Sequence, residues 1–107
     1  MKKILLIEDD PLLCWLLEKI LTKKYDVTVM NDGKEAWSWL TSNNIPDIIV
    51  TDLKMPSLGG MELLENVTSD ETLKNIPIII HSGYEEAGKR KKCLDLGAFS
   101  YLVKPFE

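Results

Sequence analysis

Residues 4–11 read Ile4-Leu5-Leu6-Ile7-Glu8-Asp9-Asp10-Pro11, and the break inside this stretch decides the fold. An apolar run without alternation, predicted here as a strand over Lys3–Ile7, describes a strand covered on both faces, as in a parallel sheet. Three acids follow at once, although neither a strand nor a turn needs neighbouring charges that repel one another. Further out, Leu12, Leu13, Leu16, Leu17, Ile20 and Leu21 recur at helical spacing as one broad apolar stripe, so a helix follows the strand. Asp10 before Pro11 is a favoured helix start, with the acid as N-cap and proline in the first helical position.

The same alternation repeats along the chain. Further strands are predicted at Tyr25–Met30, Asp47–Asp52, Ile76–His81 and Phe99–Val103, with helices at Lys34–Ser42, Met61–Val67 and Glu85–Leu96. Gly33, Gly59, Gly60, Gly83 and Gly97 fall at the joints. Alternating strands and helices with short connections imply a five-stranded parallel sheet wrapped by helices on both faces, a doubly wound α/β domain. A chain of 107 residues, 45% hydrophobic and 28% charged, fits one domain, residues 1–107, with a single core. Met1 stands just before the first strand, as at a natural N-terminus. Glu107 follows the fifth strand directly, so the sequence predicts a domain truncated before its last helix.

The net charge of −4 offers no footprint for direct nucleic-acid binding or an anionic membrane surface. Glu8 interrupts the first apolar stretch too early for a signal peptide or membrane span, which points to a cytoplasmic protein. Cys14 and Cys93 then read as reduced thiols. Asn66-Val67-Thr68 fits a glycosylation acceptor only as a chance match.

In open parallel α/β sheets, ligands bind outside the carboxyl ends of the strands. The predicted strands deliver Glu8 and Asp9, Asp52, Ser82 and Lys104 to that one edge. Carboxylates about 4 Å apart repel by about 4 kcal/mol per pair at an effective dielectric near 20, so a positive partner is required. Magnesium is commonly held by one or two carboxylates plus phosphate oxygens, and a lysine ammonium suits a phosphoryl oxygen. No complete GxxxxGK[ST] phosphate loop and no GxGxxG sequence is present, which disfavours a bound nucleotide. The phosphoryl group is therefore expected on a partner, with one carboxylate receiving it.

With IEDDP after the first strand, TDLKMPSLGG after the third, HSG after the fourth and YLVKPF at the fifth, the whole chain resembles the receiver domain of a two-component response regulator. The resemblance implies a flavodoxin-like sheet of strand order 2-1-3-4-5, with Asp52 as phosphoacceptor. It makes Glu8, Asp9, Asp52 and the Lys54 carbonyl ligands of Mg2+. It gives Ser82 and Lys104 to the phosphoryl group, makes Tyr101 the aromatic switch residue, and matches Lys104-Pro105 to a peptide bond often cis in the family. The expected partner is a sensor histidine kinase or a phosphotransfer protein, docking on the first helix near Cys14 and Trp15; a homodimer is a further expectation. Lys54 and Tyr84 flank the phosphoryl site, where their bulk and charge would alter access of the hydrolytic water.

Plainer readings stand beside these. His81, the chain's one histidine, is expected to be structural, because strand neighbours alternate and its side chain should point away from the face used by Ser82. Trp15 lies opposite the apolar stripe and should be exposed as an interface anchor, whereas Trp37 joins Ala36 and Leu40 on a core face. Lys89–Lys92 read as a solvated helix face. A phosphorylation-independent interaction module, a small phosphohydrolase and a flavodoxin-like cofactor binder are the rival functions. Lys54 stands two residues after Asp52, where such phosphohydrolases commonly carry a second Asp.

Overall fold

The apolar run at the start of the chain becomes the second strand of a fully parallel sheet in the computed structural model, which describes residues 1–55, 57–83 and 88–103. Its strands are β1 (Lys3–Ile7), β2 (Asp26–Met30), β3 (Ile48–Asp52), β4 (Ile78–Ser82) and β5 (Ser100–Val103). They lie in the order β2-β1-β3-β4-β5. The helices between them are α1 (Pro11–Leu21), α2 (Gly33–Leu40), α3 (Gly60–Thr68) and α4 (Arg90–Asp95). No described helix is long and apolar enough to cross a membrane.

Strand register sorts the side chains into two faces. Leu5 and Ile7 of β1, Ile49 of β3, Ile78 and Ile80 of β4 and Tyr101 of β5 belong to the main core, with Ala36 and Leu40 of α2, Leu63, Leu64 and Val67 of α3, and Cys93 of α4. The alternate positions run Leu6↔Val50 and Val50↔Ile79 across the sheet, then Asp52↔His81 and His81↔Leu102. Period-two alternation puts these on the opposite face.

α1 starts as the sequence requires: the Asp10 side chain accepts from the Leu12 amide at 3.0 Å, and Pro11 occupies the first turn. The single broad stripe does not survive, however. Cys14 is buried and Leu13, Leu17 and Leu21 are half-buried, while Leu12, Leu16 and Ile20 are exposed. Leu12, Leu16 and Ile20 form their own row at four-residue spacing, and among the described residues nothing covers it. Cys14, expected near a docking surface, is 6% exposed. Trp15 is 55% exposed, as its place opposite the stripe requires.

α4 is described over Arg90–Asp95; its expected start at Glu85 lies outside the described residues. β4 starts two residues later than expected, at Ile78, because Pro77 has no amide to donate to a ladder; its carbonyl instead accepts from Ile49 at 3.0 Å. Gly60, at the head of α3, sits so close to β3 that a Cβ there would collide with the Asp52 carbonyl oxygen and the Leu53 Cα. Its amide donates to the Leu53 carbonyl at 2.8 Å. A residue without a side chain is thus what lets α3 abut the end of the strand carrying Asp52.

Candidate metal and phosphoryl site

Each polar side chain at this edge is placed by the strand that ends there. Glu8 follows β1, and its amide continues the pairing with β2 by donating to the Met30 carbonyl at 3.1 Å. Its carboxylate turns inward: Oε2 accepts from the Asp10 amide at 2.9 Å, and Oε1 lies 3.5 Å from His81 Nδ1. The Asn31 side-chain amide donates to the Glu8 carbonyl at 3.2 Å, tying the loop after β2 to the same corner. Asp52 closes β3, with Oδ1 accepting from the Lys54 amide at 3.4 Å. The amide of Leu53 donates to the His81 carbonyl at 3.0 Å and keeps β3 and β4 in step through the site.

The result is a buried cluster that the sequence reading had divided differently. Glu8, Asp52 and His81 are 0%, 7% and 1% exposed, and one ligating atom from each lies within 4.8 Å of the others. Two carboxylates and an imidazole at this spacing suit a divalent cation, because side chains of this donor set do not leave water without a positive or hydrogen-bonding partner. Asp9, expected as the partner of Glu8, is exposed and outside this cluster. Consecutive residues at the end of an extended strand point in different directions, so Glu8 is buried at this edge while Asp9 is exposed there.

His81, expected to be structural, lies beside both carboxylates. It does point away from the Ser82 face, as alternation demanded. The same rule has a second consequence: in a parallel ladder, directly paired residues share a face, and Asp52 pairs with His81. Pairing Asp47–Asp52 against Ile76–His81 by their ends would have found it.

Ser82 and Tyr101 belong to the other face of the edge. Ser82 Oγ and the Tyr101 hydroxyl are 2.7 Å apart and both side chains are buried; Ser82 Oγ also donates to the Gly83 carbonyl at 3.3 Å. Arg90 of α4 donates to the Tyr101 carbonyl at 2.7 Å, and its guanidinium carbon sits 5.8 Å from the ring centroid. The tyrosine ring is therefore buried and joined to the Ser82 hydroxyl. Lys54 is exposed beside the site. Lys104, Pro105, Pro56 and Tyr84 lie outside the described residues. Burial pushes the thiols of Cys14 and Cys93 up from their ordinary pKa, with Glu18 and then Glu8 adding to the rise at Cys14 and Lys89 and Lys92 opposing it at Cys93. Neither is an activated nucleophile.

With this geometry in hand, residues 4–107 match the family model described as the response regulator receiver domain. The two-component response regulator-like APRR7 of Arabidopsis thaliana is 35% identical over 105 residues, which cover 96% of this chain and 14% of that protein. The chain thus spans a small part of that relative's length. Among solved structures, the receiver domain of the Francisella response regulator 1452 matches with a TM-score of 0.88 at 33% identity, covering 100% of this chain and 87% of that one. The receiver domain of the sensor histidine kinase PA1611 from Pseudomonas aeruginosa PAO1, which has a magnesium ion coordinated in its active-site cleft, matches with a TM-score of 0.86 at 32% identity, covering 99% of this chain and 87% of that one.

Proposed function

The chain belongs to the response regulator receiver domain family, and we propose that residues 1–107 act as a receiver unit in which Asp52 accepts a phosphoryl group from a phosphohistidine. The observation that carries this reading is the buried Asp52 at the carboxyl end of β3, with Glu8 beside it and the hydroxyl of Ser82 on the adjoining strand. An Asp52 carboxylate oxygen attacks phosphorus as the phosphorus–nitrogen bond breaks, and the imidazole leaves with the electron pair and takes up a proton. Glu8, Asp9, Asp52 and the Lys54 carbonyl are the groups that would hold magnesium, which when bound supplies positive charge facing the transferring oxygens. Lys104 is assigned to the phosphoryl oxygens by the family resemblance. The protein's own contribution is positioning: Asp52 is fixed by the β3 ladder and by Gly60 behind it.

The aspartyl phosphate then biases a two-state element. Ser82 Oγ, now 2.7 Å from the Tyr101 hydroxyl, turns toward the new phosphoryl oxygens, and Tyr101 exchanges its hydrogen bond. Because the ring is already buried, the switch is read out through the Arg90 contacts that join α4 to β5. Moving such an equilibrium from 1:99 to 99:1 takes about 5.5 kcal/mol of differential stabilisation. The partner is a sensor histidine kinase or phosphotransfer protein, docking on α1 through Trp15.

The test is labelling by a small phosphodonor in magnesium buffer. Asp52→Ala should abolish it in a variant with native circular dichroism, and retained labelling would remove Asp52 from the role. A phosphorylation-independent module would leave even the wild-type chain unlabelled.

A further inference from the structure

We propose that His81 is a metal ligand and that it turns this site from a magnesium centre into one that prefers a first-row transition cation of the cobalt, nickel or zinc class. The proposal rests on the reading of Glu8 and Asp52 as cation ligands. Three observations carry it. His81 is paired with Asp52 across the β3–β4 ladder, so the imidazole is delivered to the carboxylate face by the sheet itself. All three side chains are buried, and ligating atoms from each lie within 4.8 Å of one another. The separation of Nδ1 from Glu8 Oε1 is 3.5 Å. It is close to the edge of a tetrahedral shell, about 3.4 Å for ligands about 2.1 Å from a common centre.

The chemistry then sets the preference. Magnesium requires a near-octahedral shell of hard oxygens and keeps several of its waters. Imidazole suits zinc, copper, iron and nickel, and affinity for a given nitrogen and oxygen site rises along the first-row series toward copper. A buried two-carboxylate, one-imidazole set gains on nickel or cobalt and gains nothing on magnesium. The alternative is that His81 only packs beneath Glu8, in which case it contributes equally little to every cation.

The experiment uses the full untagged chain, stripped with a chelator and titrated calorimetrically with Ni2+, Co2+ and Mg2+, beside His81→Leu and Asp52→Ala. His81→Asn serves as a second variant if the leucine form does not fold. The expected result is that nickel binds the wild type at least about tenfold more tightly than magnesium. His81 replacement should cost at least about tenfold in nickel affinity and change magnesium affinity less than about threefold. Since the chain has one histidine, its imidazole proton resonances need no assignment, and Co2+ should move them outside the diamagnetic window. Equal losses for nickel and magnesium in the His81 variants, or imidazole resonances unmoved by bound Co2+, overturn the proposal while leaving the carboxylate site intact. If neither cation binds the wild type, or Asp52→Ala binds both as the wild type does, the metal reading of Glu8 and Asp52 falls with it.

Discussion

The hydrogen bond between Ser82 and Tyr101 would concentrate the proposed switch into two atoms. Both side chains are buried and their oxygens are 2.7 Å apart, in surroundings where a satisfied polar pair is stronger than at the surface and an unsatisfied one costs more. Tyr101→Phe keeps the ring and removes the hydroxyl. Ser82 Oγ retains its bond to the Gly83 carbonyl, so the loss in stability should be about 1 kcal/mol, read as a lower urea midpoint at unchanged slope. Labelling at Asp52 should persist, because the phenol hydroxyl bonds Ser82, on the opposite face of the sheet from Asp52; abolished labelling in a folded Tyr101→Phe protein would move Tyr101 from the proposed switch into the acceptor site. Ser82 and Tyr101 were each legible in the sequence, but their contact was not. It depends on Tyr101 pairing with Ile80 across the β4–β5 ladder, two residues short of Ser82 and therefore on its face.

At the scale of elements, two helix starts at the functional edge predict opposite outcomes. Asp10 caps α1 through the Leu12 amide and is exposed, while the carboxylate that turns into the site is its neighbour Glu8. Asp10→Ala should cost about 1 kcal/mol of stability and leave cation affinity within about twofold, since it keeps the backbone amide that Glu8 Oε2 accepts from. Gly60→Ala places a methyl group against the Asp52 carbonyl. It should cost about 1–3 kcal/mol as overpacking and also weaken labelling, because the strand end that carries Asp52 must shift. Urea unfolding beside phosphodonor labelling separates the two, and a Gly60→Ala protein as stable and as readily labelled as the wild type would contradict the close approach. The EDDP run was legible as a helix cap joined to an acidic site. That Glu8 enters the site while Asp9 stays in solvent was not, because the direction of a side chain beyond the last ladder residue is set by what packs there.

Across the whole molecule, one sheet edge serves two faces: the Glu8, Asp52 and His81 cluster lies on one, and Ser82, Tyr101 and the Arg90 contacts of α4 on the other. A change at Asp52 is therefore next to both, and under the proposed function only the thickness of the sheet separates Asp52 from the Arg90 contacts. The exposed row Leu12, Leu16 and Ile20 runs along α1 with Trp15 beside it, near the acidic edge. If a kinase docks there, Trp15→Ala should slow phosphotransfer from the cognate kinase at least about tenfold, as expected for loss of an aromatic anchor. Labelling by a small phosphodonor, which needs no docking surface, should be unchanged. Equal loss in both assays would mean damage to the site, and no loss in either would remove Trp15 from the interface. The sequence by itself determined the alternation of strands and helices, the parallel sheet and the edge at which acids and a serine collect. Apolar runs, caps and glycines are local signals, and the carboxyl ends of parallel strands always meet on one side. Only the tertiary structure decided that His81 shares the face of Asp52, that Tyr101 is already bonded to Ser82, and that half of the α1 stripe is left outside. Those facts depend on register between strands distant in sequence and on which neighbours arrive to cover a surface, and neither is written in any single segment.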